Sequence, residues 1–181
     1  MVDDALILTK FNIEQSREEG FNLLIKKYQQ KIYWQIRRIV INHDDADDVI
    51  QEVFIKIWKN LASFRQDSQL FTWLYRIATN ESLTFIKKKQ AKNNISIDDL
   101  SQELIESLNS DPYFTGNEIE KKLQQALLGL PEKQRLVFNM RYYEDLKFQE
   151  ISDILGTSVG ALKANYHLAA KKIEHFIKIN D

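Results

Sequence analysis

Apolar residues in this chain recur at spacings of three and four over most of its length and nowhere alternate for long with polar ones. That period lines one face of an α-helix, whereas a half-buried strand needs period two. Phe21, Leu24, Ile25, Tyr28, Ile32, Ile36 and Ile39 trace a first long helix. After a break at Asn42-His43-Asp44, where Asn42 or Asp44 could cap the next helix, Val49, Ile50, Val53, Ile57 and Leu61 give a second stripe. Phe71, Leu74, Ile77, Ala78, Leu83 and Ile86 give a third, ending in Lys87-Lys88-Lys89. Only 5 Gly and 2 Pro interrupt 181 residues, so the predicted fold class is all-α.

From Gln90 to Asn117 the pattern dissolves into Asn, Ser, Asp, one Pro and one Gly, which is linker composition, with room for a short helix around 98–108. Helical spacing then resumes with Ile119, Leu123, Ala126 and Leu127, and Pro131 suits the first turn of a further helix carrying Leu136, Val137, Met140 and Tyr143. Ile151, Ile154 and Leu155 form one short stripe, Gly156 breaks it, and Val159, Leu162, Tyr166 and Ala170 form the next, with Thr157 or Ser158 as the cap. Two short helices about a Gly-containing turn are a helix-turn-helix signal. The expected organisation is two small helical domains, 1–90 and 118–181, joined by a flexible acidic linker, 91–117. Charge follows the same division. Residues 1–90 hold 14 Lys/Arg against 12 Asp/Glu, residues 91–120 hold 1 against 7, and residues 121–181 hold 10 against 7. The overall charge of −1 therefore conceals two mildly basic blocks that could face an anionic partner.

Several function classes fall away. The chain has no cysteine, which removes disulfides and thiolate metal sites and fits a reducing cytosol. His43, His167 and His175 show no metal-ligand spacing, and no Gly-rich phosphate loop or HExxH motif is present. The acids of DDADD lack the alternation and central Gly of a calcium loop and are ordinary partners for a helix N-terminus. No enzyme activity, metal or cofactor is expected. The first residues lack a basic segment followed by a long apolar core, and no apolar run reaches the ~20 residues that cross a bilayer. A cytoplasmic protein without membrane insertion is expected.

Three surfaces could carry function. On the helix after Asp44, Asp48, Gln51, Glu52, Ile55 and Trp58 form an outer stripe beside the Val49/Val53/Ile57 core stripe. Polar groups around apolar anchors suit protein docking, although a wide packing face would read the same way. Next, the loop Phe64-Arg65-Gln66-Asp67-Ser68 is followed by Phe71, Trp73, Tyr75, Arg76 and Asn80. Aromatics interleaved with Arg and Asn offer stacking faces and an amide for unpaired bases. Trp73 and Tyr75 cannot share one helix face, so Trp73 or Leu74 should be core. Third, the last helix should turn Gly160, Ala161, Lys163, Ala164, Asn165, His167, Leu168 and Lys171 away from its core stripe. Lysines there meet phosphates, Asn165 can pair with an adenine edge, and small residues permit close approach. A helical hairpin in a protein-binding domain would share that pattern.

Taken together these motifs resemble the bacterial sigma factors of the extracytoplasmic-function group, over residues 21–176 apart from the linker. DDADDVIQEVFIKIW is similar to the region-two helix that docks on the clamp helices of the largest RNA polymerase subunit. FRQDSQLFTWLYRIATNESLTFIKKK resembles the part that melts the promoter and reads its −10 element, and LPEKQRLVFNMRYYEDLKFQEISDILGTSVGALKANYHLAAKKI resembles region four, which reads the −35 element.

The resemblance implies that Asp48, Gln51, Glu52, Ile55 and Trp58 contact core polymerase. It implies that Phe64, Arg65, Gln66, Asp67 and Ser68 capture a flipped nontemplate base near Asn80, with Arg76, Lys87, Lys88 and Lys89 on the displaced strand. Ser158, Gly160, Ala161, Lys163, Ala164, Asn165, His167 and Lys171 would meet −35 duplex DNA. The flap region of polymerase would hold the carboxy-terminal domain, and an anti-sigma factor is a further implied partner. Asp98, Asp99, Glu103 and Glu106 would thread the polymerase cleft, on a linker of about 28 residues that spans roughly 30 Å as a random coil. Two departures stand out: the family loop commonly has Gly where this chain has Gln66, and the recognition helix commonly carries several Arg where this chain has Lys163, Asn165, Leu168 and Ala170. Two other readings fit parts of the chain. An ordinary helix-turn-helix regulator would bind an operator without polymerase, and a helical adaptor would bind no DNA.

Overall fold

A computed structural model describes residues 2–93 and 118–180. Among these residues the regular structure is helical, without a strand. The chain divides into two compact units, Met1–Val40 with Asp44–Phe85, and Ile41–His43 with Ile86–Asp181. The expected short helix at 98–108 and the acids Asp98, Asp99, Glu103 and Glu106 lie outside the described residues.

The first unit opens with a helix that the periodicity reading, starting at Phe21, does not assign. In α1 (Asp4–Asn12), Asp3 caps the N-terminus by accepting from the Ala5 N–H at 3.3 Å, and Ile7, Leu8 and Phe11 are buried. Nine residues are too few to hold a helix in water, so α1 depends on its packing. It lies against α2 (Arg17–Val40) at Gly20, where a Cβ would stand 2.5 Å from the Phe11 backbone nitrogen. A clamp fixes the other end: the Asp4 carboxylate accepts from Lys27 Nζ at 2.6 Å and from the Tyr28 hydroxyl at 2.8 Å. Burial first, and Asp4 second, push the Tyr28 phenol well above its ordinary titration range.

Leu24, Tyr28, Ile32, Ile36 and Ile39 of α2 are buried as the spacing predicts. The helix ends where Ile41 takes φ 65°, a left-handed conformation that costs a β-branched residue about 1–2 kcal/mol and is held here by burial. From α3 (His43–Asn60), Ala46, Val49, Val53 and Ile57 enter the core. Each fully buried aliphatic chain contributes roughly 1.5–3 kcal/mol. α4 (Leu70–Asn93) continues past the lysine run, so the first residues of the expected linker are helical. Its buried face differs from the predicted Phe71/Leu74/Ile77 stripe. Leu70, Leu74, Tyr75 and Ala78 are buried together with Thr72, Thr79 and Ser82. Small hydroxyls fit because they bond internally: Ser82 Oγ donates to the Ala78 carbonyl at 2.8 Å, and Gln35 Nε2 lies 3.4 Å from Thr79 Oγ1.

In the second unit, α5 (Glu118–Leu128), α6 (Glu132–Tyr142), α7 (Phe148–Leu155) and α8 (Val159–Ile179) surround their own core of Ala126, Leu127, Leu130, Phe138, Ala169 and Ile173. Pro131 sits at the N-cap of α6, and its carbonyl accepts from the Gln134 and Arg135 N–H groups at 2.9 and 3.0 Å. Rings of Phe138 and Tyr166 stack at 5.5 Å and 18°, tying α6 to α8. Gly156 ends α7 at φ 63°, which a glycine adopts without strain, and Ser158 begins α8. The predicted α8 stripe is right for Leu162 and Tyr166. Farther along it follows Ala169 and Ile173 rather than Ala170.

Candidate functional site

Three surfaces emerge from these helices. On α3, Asp48, Gln51, Glu52, Ile55 and Trp58 are all exposed, beside the buried Val49/Val53/Ile57 line. The acids ahead of them divide by role. Asp47 lies close enough to favour the charge on buried Arg37, whose pKa burial lowers and Tyr33 and Asp47 partly restore. Asp48 faces outward. The two apolar anchors also differ. Ile55 is 47 % exposed, whereas the Trp58 ring stands edge-on to Phe21 at 4.9 Å and to Phe11 at 5.3 Å, leaving 37 % exposed. Trp58 therefore belongs both to the surface and to the aromatic cluster that seats α1, and no spacing rule within α3 could reveal its partners on α1 and α2.

The second surface joins the 64–68 loop to α4. Phe64 is half-buried with its ring 5.3 Å from that of Trp73, and its N–H bonds to the Leu61 carbonyl at 3.1 Å. Arg65, Gln66 and Asp67 are exposed and Ser68 is half-buried; Arg65 Nε and Asp67 Oδ2 approach to 3.3 Å across Gln66, which has φ 60°. At 3.6 residues per turn, Trp73, Arg76, Asn80 and Lys87 fall on one side of α4. Arg76, Asn80 and Lys87 are exposed there, so loop and helix present one strip. Lys88 is exposed at its margin. Lys89 is half-buried on the line of the core face and has an interaction of its own. Tyr75, one of the aromatics expected near bases, is fully buried: its hydroxyl donates to the Lys31 carbonyl at 3.4 Å and its ring lies 4.3 Å from Phe71. As anticipated for the Trp73/Leu74 pair, Leu74 is core.

The third surface is the outer side of α8. Ser158, Gly160, Ala161, Lys163, Ala164, His167 and Lys171 are exposed, and Asn165 is half-buried on one flank. Two polar groups are engaged within the helix. Ser158 Oγ accepts from the Ala161 N–H at 3.3 Å, which settles the choice of cap against Thr157. Asn165 Nδ2 donates to the Ala161 carbonyl at 3.0 Å, so a paired contact with adenine requires that bond to open. Among the described residues no group of His, Asp and Glu is placed to hold a metal ion. No described helix is long and apolar enough to cross a membrane.

Comparison with known proteins accounts for this arrangement. Residues 24–92 match the sigma-70 region 2 family and residues 120–173 match sigma-70 region 4. The chain is 30% identical to the ECF RNA polymerase sigma factor SigW of Bacillus subtilis, over 86% of this chain and 87% of that one. It is 29% identical to the ECF RNA polymerase sigma-E factor of Escherichia coli, over 92% and 91% of the two chains. Among solved structures, CnrH in complex with the cytosolic domain of CnrY has a TM-score of 0.72 at 21% identity and covers 99% of each chain. The sigma factor RpoE of Bartonella quintana, in complex with the anti-sigma factor NepR, has the same TM-score and identity over 90% of this chain. With both sigma-70 regions in order and near full-length likeness to its relatives, the chain belongs to the extracytoplasmic-function group of sigma factors, which direct RNA polymerase to initiate at specific promoters.

Proposed function

We propose that this sigma factor divides its task among the three surfaces, without catalysis of its own. The observation that carries the reading is the exposed Asp48/Gln51/Glu52/Ile55 stripe lying directly beside the buried Val49/Val53/Ile57 line. A helix needs only its buried line to fold. The outer stripe docks on the clamp helices of core polymerase, with Ile55 and the exposed part of Trp58 as apolar anchors inside a polar rim. The loop at 64–68 captures an unpaired −10 base against the Phe64/Trp73 pair, while Asn80 supplies an amide and Arg76, Lys87 and Lys88 hold the strand. Helix α8 enters the major groove of the −35 duplex, and the flap region of polymerase supports its domain. The residues 1–90 and 118–181 then act as two promoter-reading domains on an acidic tether. CnrH and RpoE were each captured with a binding partner, which supports an inhibitory anti-sigma partner for this chain as well.

The test mixes the full chain with core polymerase and follows co-elution and promoter-dependent transcript. Gln51→Ala combined with Glu52→Lys should abolish co-elution while leaving helicity unchanged. Undiminished binding by that variant would remove the docking assignment. Tight operator binding by the chain without polymerase would favour the regulator reading.

A further inference from the structure

The outer side of α8 is unusual for what it lacks. None of its 21 residues is arginine, the side chain that most often makes a paired contact with guanine O6 and N7. Leu168 instead stands in the third turn, 47 % exposed, on the side that also carries Ala161 and Ala164. Lysine could serve guanine as well, but none of the four lysines of α8 is well placed, Lys172 and Lys178 lying more than a turn beyond Leu168. Lys163 projects about a quarter-turn from the outward line through Ala164, and Lys171 lies a turn beyond Leu168. Recognition helices meet base edges with their N-terminal part, to which Leu168 is nearer than Lys171. These lysines suit the phosphates on either side, which supply affinity and register but no sequence preference. On the outward line itself the groups left facing the groove, Ala161, Ala164 and Leu168, are apolar, flanked by His167 on one side and on the other by Asn165, whose Oδ1 remains an acceptor while Nδ2 bonds to Ala161. The apolar group that a base edge offers in the major groove is the thymine C5-methyl.

We infer that Leu168 is a specificity determinant that packs on a thymine methyl, so that this chain selects A·T pairs where an arginine-bearing relative would select guanine. The inference rests on the assignment of α8 to the −35 duplex and names the base chemistry of that surface.

The experiment transcribes a promoter library, randomised through the −35 element, with the full chain on core polymerase. A·T pairs should be enriched opposite the third turn of α8. In the best promoter, each thymine is then replaced singly by deoxyuridine, which removes the methyl and keeps every hydrogen-bonding group. Initiation should fall about fourfold at one or two positions, the factor for one buried methyl-sized group. Leu168→Ala, a change at an exposed site, should erase most of that sensitivity, and Leu168→Arg should move the preference toward guanine. Enrichment of guanine by the unaltered chain, or indifference to deoxyuridine, overturns the inference alone. Absence of transcript from every library member overturns the −35 assignment beneath it.

Discussion

Gly20 and Gln66 are two positions where the backbone dictates the residue, with opposite outcomes. At Gly20 the space is taken, because a Cβ would meet backbone atoms of Phe11 and Ile7 at 2.5 and 2.9 Å. Gly20→Ala should therefore cost about 2 kcal/mol despite the better helix propensity of alanine, read as a lower urea midpoint at unchanged slope. At Gln66 the left-handed φ of 60° is one that glycine adopts freely, and this chain bears the strain of a side chain there. Gln66→Gly should stabilise the chain by roughly 0.5–1 kcal/mol while altering which −10 bases are tolerated, because the amide of Gln66 is lost with the strain. Thermal unfolding beside transcription from −10 variants would separate the two effects; unchanged base tolerance would count against a reading role for the side chain.

The elements show where periodicity informs and where it fails. In α3 the core and outer stripes are both as the spacing predicts, since Val and Ile at i, i+4 and i+8 leave little choice. Even so, Ile55 and Trp58 are separable. Ile55→Ala should weaken polymerase binding at nearly constant melting temperature. Trp58→Ala should lower both, because its ring also holds Phe11 and Phe21. Parallel losses in the two variants would put Ile55 in the packing too. In α4 the predicted stripe is only partly right, for a physical reason: Thr79 and Ser82 look like surface residues in a hydropathy pattern, yet internal hydrogen bonds let such hydroxyls be buried. The true face consequently includes Tyr75 and excludes it from base stacking. Helix α1 is not legible in the periodicity because a nine-residue segment draws its stability from partners distant in sequence. The caps were more legible. Ser158→Ala should cost the second unit about 1 kcal/mol and Ser158→Asp much less, as measured by thermal unfolding, since only the former leaves the Ala161 N–H without its acceptor.

Across the whole molecule, an overall charge of −1 provides no general attraction to DNA, so binding by the chain alone rests on local basic faces. Only Lys163, Lys171 and Lys172 are exposed cations on the first four turns of α8. With about three phosphates neutralised, the isolated chain should bind a −35 duplex weakly, with a log–log salt slope near −3. Fluorescence anisotropy between low and moderate salt measures this directly, and a slope far steeper would mean that other basic residues take part. Helix α8 itself has a broader consequence. Leu162, Ala169 and Ile173 hold the fold along one side, while Ala161, Ala164 and Leu168 face outward and leave that core untouched. On the proposed role of α8, promoter taste and foldability are encoded in separate letters of a single helix. A duplicated copy of this chain could drift to a new set of promoters through a few outward substitutions, each invisible to selection for stability.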